Sequence, residues 1–151
     1  MKQLQHLVTQ LENAVPKTNK YNSDVSTKPV GWHIEHSLLV INKIIETVMK
    51  SNPADFESKF QLKRALIFAL QIIPRGRAKA PSSVLPVSEI SSLSIQENLI
   101  ITRKNLEKFA ELTGNYFFEH PMFQKLNVKQ TEKFLCIHTK HHLKIIQDIL
   151  Q

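Results

Sequence analysis

Apolar residues recur with helical period along most of the chain, and the breaks in that period divide it into successive helical segments. Residues 2 to about 15 place Leu4, Leu7, Val8, Leu11 and Val15 on one stripe, the i, i+3, i+4, i+7 pattern of a helix facing a core. His6 lies opposite that stripe, Pro16 ends the helix, and the polar run Lys17 to Lys28 reads as a loop. Pro29 suits the first turn of a second helix that runs to about Ser51, ahead of Pro53. Its apolar arc holds Ile34, Leu38, Val40, Ile41, Ile44, Ile45 and Val48, with Glu35, Asn42 and Glu46 outside it. A third helix is expected over Ala54 to Ile73, offering Phe56, Phe60, Leu62, Leu66, Ile67, Leu70 and Ile73 for packing. Pro74, Pro81 and Pro86 keep helix from continuing through the connection that follows. Ser94 to Glu97 reads as a capping box opening a fourth helix, which carries Ile95, Leu99, Thr102, Leu106, Phe109 and Ala110 and closes near Gly114. Asn115 to Leu126 is a connector to a last helix, Asn127 to Gln151, where Asn127 and Gln130 form another capping-box pattern.

This pattern predicts an all-α protein, a four-helix bundle with an additional short N-terminal helix, occupying residues 1–151 as a single domain. A length of 151 residues suits one core, 42% hydrophobic content is enough to build it, and only 3 glycines interrupt it. The first residues lack an uninterrupted apolar run, so no signal peptide is expected. The longest apolar run, Ala65 to Ile73, is broken by Gln71 and falls far short of the roughly 20 residues that span a bilayer. A cytoplasmic location follows, and the single cysteine, Cys136, fits a reducing compartment and excludes an internal disulfide framework. The net charge of +7 favours an acidic partner, but the lysines are scattered among acids and no interleaved basic and aromatic platform is visible. No specific nucleic acid and no membrane are expected as partners. The cations that do cluster, Arg75, Arg77 and Lys79, sit in the basic loop Arg75 to Pro81, placed either to hold an anionic group or simply to face solvent.

Candidate chemistry concentrates in the histidines. The three glycines, Gly31, Gly76 and Gly114, are too far apart for a phosphate-cradling loop or a nucleophile elbow, and there is no CxxC pair and no HExxH. At roughly 100° per residue, His138 and His142 fall in the apolar stripe of the last helix with Phe134, Leu135, Ile145, Ile146 and Ile149. Their four-residue spacing stacks the two imidazoles one turn apart, close enough to bind one ion. His141 falls at the edge of the stripe, and Cys136 points to its far side, which removes the thiol both as a third ligand and as the nucleophile partner of His138. A histidine on an apolar face is more often a hydrogen-bonded core residue than a ligand, so the pair needs a third donor to be persuasive. The second helix offers two, His33 and His36, and the helical wheel leaves the choice open: it buries His33 and leaves His36 at the stripe's edge. A helix-borne pair plus one histidine from a facing helix gives three neutral nitrogens and an open position, the arrangement of a catalytic metal.

Several stretches together resemble the DinB and YfiT-like superfamily of four-helix-bundle metalloenzymes. Within a bacterial branch of it the C-terminal signature runs His-Pro-Phe-Phe-Gly-Lys-Leu, then a helix with His-x-x-His-His-Leu. Here these read His120-Pro121-Met122-Phe123-Gln124-Lys125-Leu126 and His138-Thr139-Lys140-His141-His142-Leu143. Trp32-His33-Ile34-Glu35-His36-Ser37 is similar to the family's second-helix segment, and Arg75 to Pro81 to its connection after the third helix. The resemblance spans essentially the full length and implies a metal triad of His36, His138 and His142. Gln124 stands where the signature usually has glycine, which bears on the turn before the last helix and not on the triad. Characterised relatives include thiol-dependent transferases and metal-dependent amidase or isomerase chemistry, so the fold alone does not fix a reaction.

The expectation is therefore a metal-dependent transferase or hydrolase acting on a small, thiol-bearing or anionic substrate. Its cofactor would be a divalent metal ion, zinc or nickel ahead of iron or manganese, which ligand type alone does not separate. His33 and His141 are the spare imidazoles for proton transfer or ligand support, and Glu35 should point away from His36. A homodimer through an exposed apolar strip is a further expected assembly. The rival is a non-catalytic helical bundle, a binding or stress-related protein whose histidines are core residues or a vestigial site.

Overall fold

The computed structural model describes residues 1–76, 81–86 and 90–151. Helix α1 (Lys2–Asn13) buries Leu4, Leu7, Val8 and Leu11 and gives way to a 3₁₀ turn, Val15–Lys17, at Pro16. Helix α2 (Val30–Lys50) begins where Pro29 holds the backbone extended, and two of its first amides are satisfied by the preceding loop: Val30 donates to the Lys20 carbonyl and Gly31 to that of Thr18, both at 2.9 Å. Helix α3 (Leu62–Leu70) is short. Helix α4 (Ser92–Glu111) opens on a reciprocal capping box between Ser91 and Ser94. An antiparallel hairpin, β1 (Phe117–His120) and β2 (Gln124–Asn127), then leads into α5 (Val128–Ile149), whose Asn127 and Gln130 exchange hydrogen bonds at 3.0 and 3.1 Å. Among the described residues no helix is long and apolar enough to cross a membrane.

Helix α2 packs along both α4 and α5, while α1 packs on α5 and, over a shorter length, on α4. The core between them is filled by fully buried aliphatic side chains, among them Leu4, Leu11, Ile34, Leu38, Ile41, Ile45, Ile95 and Leu135. Each contributes roughly 1.5–3 kcal/mol by leaving water. Between α2 and α4 the buried amides of Asn42 and Asn105 meet at 3.1 Å. Sliding either helix would leave a buried amide unpaired, at a cost of about 1–3 kcal/mol, so this pair fixes the register of the two helices.

Two elements differ from the reading of the sequence. The third helix was expected over Ala54 to Ile73 but has nine residues, preceded by a 3₁₀ turn at Pro53–Asp55, and Phe60, Leu62, Leu66 and Leu70 are exposed, Phe60 by 80%. Periodicity marks an apolar face without saying what covers it. The side chain that α3 buries is Arg64, which donates to the carbonyls of Lys59, Phe123 and Lys125 at 2.6, 3.2 and 3.4 Å. A helix this short is marginal alone, and the buried guanidinium ties it to the hairpin. The N-terminal helix, expected as an addition, packs its buried stripe into the core against α5 and α4. The capping box of the fourth helix also lies earlier than expected, at Ser91 and Ser94, so that helix starts at Ser92 and ends at Glu111.

The hairpin was read as a plain connector because its strands are four residues long and its turn has neither glycine nor asparagine. Phe123 donates to the His120 carbonyl at 3.2 Å, and the next residue, Gln124, takes a left-handed conformation with φ +59°. Gln124, the first residue of β2, thus follows the tight turn in a conformation for which glycine is favoured. Glutamine there carries backbone strain. Gln124→Gly should raise unfolding stability by about 0.5–1 kcal/mol, read as a higher denaturant midpoint at unchanged slope; a lower midpoint would contradict this reading of the turn.

Candidate metal centre

The packing of α2 on α5 brings the first turns of one helix against the middle of the other. Trp32, His33 and His36 come from α2, and His138, His141 and His142 from α5. The rings of His138 and His142 lie 4.6 Å apart, and the His36 ring stands 5.3 and 4.8 Å from them. One ring nitrogen of each residue lies within 4.8 Å of those of the other two. No carboxylate or thiol joins this group among the described residues. Three nitrogens on a tetrahedral zinc are about 3.3 Å apart, so side-chain adjustments of roughly an ångström would turn the cluster into a ligand set.

Burial keeps these imidazoles neutral. His138 and His142 are held well below the usual histidine range by loss of hydration, with the neighbouring imidazoles adding to it. His36 is lowered by burial as well, against a hydrogen bond to the Val84 carbonyl that works the other way. Neutral nitrogens are what metal ligation requires.

Hydrogen bonds then decide which nitrogen faces inward. His36 Nδ1 donates to the Val84 carbonyl at 2.8 Å, which leaves the Nε2 lone pair free. Val84 is buried at the end of the 3₁₀ turn Ser82–Val84, folded over the start of α2. His142 Nδ1 meets His33 Nδ1 at 3.0 Å, and His33 Nε2 meets Ser26 Oγ at 2.9 Å. With Nε2 of His142 facing the cluster, its Nδ1–H donates to His33, and His33 Nε2–H donates to Ser26, whose oxygen also accepts the Lys28 amide at 3.1 Å. This assignment gives both ring N–H donors in the chain an acceptor. His138 Nδ1, by contrast, is buried without a hydrogen-bond partner among the described residues. A buried nitrogen left in that state is costly.

Aromatic rings wall the cluster. Trp32 stacks on His36 at 4.9 Å and 17°, and Phe134 lies 5.9 Å from His138. His120, assigned no role from sequence, stacks on Phe123 at 4.4 Å and meets Phe134 edge-on. It lies outside the ligand group, and burial pushes it down to about 4. The wheel had placed His36 at an exposed edge; it is 3% exposed, because the Ser82–Val84 turn covers it. His33 is buried too, but behind His142, and so supports the set without belonging to it. Cys136 is buried, not solvent-facing, and burial pushes its thiol up to about 11. Glu35 is likewise buried, 3.4 Å from Ser94 Oγ at the start of α4, with its carboxyl raised by burial. In the basic loop, Arg77, Ala78, Lys79 and Ala80 lie outside the described residues, while Arg75 pairs with Asp148 at 2.6 Å. Trp32 was detectable from its i, i+4 spacing to His36, whereas the Val84 carbonyl, 48 residues from its partner, had no sequence signal.

Comparison with models of protein families finds no match, and comparisons with curated proteins and with solved structures find none either.

If His33 orients His142, His33→Phe should weaken zinc binding by roughly 10- to 100-fold in competition with a chromophoric chelator. His33→Gln, which keeps an acceptor for His142 Nδ1–H, should recover most of that loss. Equal affinities for the two variants would show that His33 only fills space.

Proposed function

We propose that this protein is a DinB-like metalloenzyme, a metal-dependent transferase or hydrolase acting on a small substrate. The observation that carries the reading is the convergence of three neutral imidazoles, His36 and His142 buried and His138 half-buried, two of them with their outer nitrogens tied back. One ligand from the second helix and two from the last is the order the resemblance implies. The side-by-side packing of α1, α2, α4 and α5 is compatible with a four-helix bundle, although α1 takes the place expected for the third helix. A divalent ion, zinc or nickel by preference, held by the three histidines would activate a water or a thiol, or polarise a substrate oxygen, at a position the protein leaves open.

The chain's own residues have distinct parts in this reading. His33 is committed to His142 and Ser26, which leaves His141 as the imidazole at the edge of the set. Trp32 and Phe134 keep water from the flanks of the cluster, strengthening electrostatic contacts inside it. The proposed setting is cytoplasmic, with a small molecule as the partner.

The test is the metal content of the untagged protein by mass spectrometry, beside His36→Ala and His142→Ala, with thermal melts before and after adding zinc or nickel. The expected result is near one ion per chain, lost in both variants, and a melting temperature raised by metal in the wild type alone. A metal-dependent turnover in a screen of thiol-transfer and hydrolytic substrates, absent from both variants, completes the test. Absence of metal, with melting unmoved by it, would make the protein a non-catalytic helical bundle.

A further inference from the structure

Beside the histidine cluster, on the adjoining face of α5, a cleft of about 430 Å³ opens between that helix and the segment that follows α3. Its volume is in the range of small-molecule sites. Lys140, His141 and Lys144 form the α5 side, the first and last one helical turn apart, and Arg75 stands on the opposite wall next to Ile73 and Pro74. His141 is shared: its ring lies 5.1 Å from that of His142, so the cleft begins where the cluster ends.

The charges in the cleft are unbalanced. Asp148 accepts from Arg75 at 2.6 Å and from Lys144 at 2.8 Å, one carboxylate serving two cations. Lys140 donates to the neutral amide oxygen of Gln71 at 3.2 Å. Arg75, Lys140 and Lys144 against Asp148 leave two positive charges in excess, and a guanidinium with five N–H donors and ammonium groups with three each have donors to spare. The side chains of Ile72, Ile73 and Pro74 beside them are apolar, and burial lowers His141 below the usual histidine range, with the Arg75 guanidinium adding to it.

We propose that this cleft binds the oxyanion end, a carboxylate or phosphate, of a small substrate whose reacting end lies at the histidine cluster. The anion site stands on the cleft alone; its role in positioning a substrate rests on the metalloenzyme reading above. Asp148 already occupies two of the three cations as an internal carboxylate, so it acts as a built-in competitor. Removing it should tighten the site, and saturable one-to-one binding separates such a site from nonspecific attraction to a basic surface, which the same charge changes would also alter.

The experiment is titration calorimetry with inorganic phosphate and, separately, malonate. Each is titrated into chelator-treated and zinc-loaded wild type and into Arg75→Gln, Lys140→Gln and Asp148→Asn, with metal content measured on the same samples. The expected result is saturable one-to-one binding of at least one probe, the stronger of the two identifying phosphate or carboxylate. Binding should weaken roughly tenfold in each of the first two variants, the loss of one charge-assisted hydrogen bond, and tighten in Asp148→Asn. No binding of either probe above chloride, or affinities unchanged across the variants, overturns the proposal. Because the variants lie on the surface, folding survives them. Anion binding by protein that takes up no zinc would refute the metal centre and leave the cleft standing, whereas zinc uptake without anion binding would do the reverse.

Discussion

The face between α2 and α5 has to bury three imidazoles, His33, His36 and His142, and half-bury a fourth, His138, without charging any of them, and much of the surrounding structure answers that requirement. A buried polar atom without a partner costs about 1–3 kcal/mol, which an aliphatic residue at the same place would avoid. The cost is offset ring by ring. The Val84 carbonyl takes the outer proton of His36, His33 takes that of His142, and Ser26 completes the chain. Ser26 belongs to the loop before α2 and Val84 to the turn before α4, so these two segments are held by polar residues of the helices they cover. Only His138 keeps a buried nitrogen with no such partner among the described residues.

The same requirement explains how tightly the start of α2 is built. Its first amides are satisfied by the Lys20 and Thr18 carbonyls, which brings the loop against Gly31 so closely that a Cβ there would run into the Thr18 side chain. Glycine at position 31 is thus demanded by close approach and not by backbone angle. Trp32 and His33 follow directly, so the packing that sets Gly31 also sets the depth and rotation at which the first two turns of α2 meet α5. At the other end of the cluster the hairpin, tied to α3 by Arg64, presents Phe123 and His120 against Phe134, and through Phe134 reaches His138.

How much of this was legible in the sequence follows from the range of each interaction. The long helices α2 and α5 are legible to within two residues, because capping residues and the 3.6-residue period are local signals, and the His138 and His142 pair is a local signal too. What α3 packs against is not local, and its run of Leu62, Leu66 and Leu70 gave an apolar stripe that proves to be exposed. The choice between His33 and His36 was also beyond the wheel, since both are buried and only the Val84 carbonyl and the His142 ring, each far off in sequence, assign them different places. The hairpin was missed because Gln124 occupies a turn position where a glycine would have announced it.

The most direct test of the central claim, that His36, His138 and His142 form one ligand set, is X-ray absorption at the metal edge of the zinc-loaded protein. The account predicts three imidazole nitrogens at about 2.0–2.1 Å with one lighter oxygen or nitrogen donor completing the shell. A sulfur neighbour at about 2.3 Å, or a shell with fewer than three imidazoles, would place the ion elsewhere and contradict it.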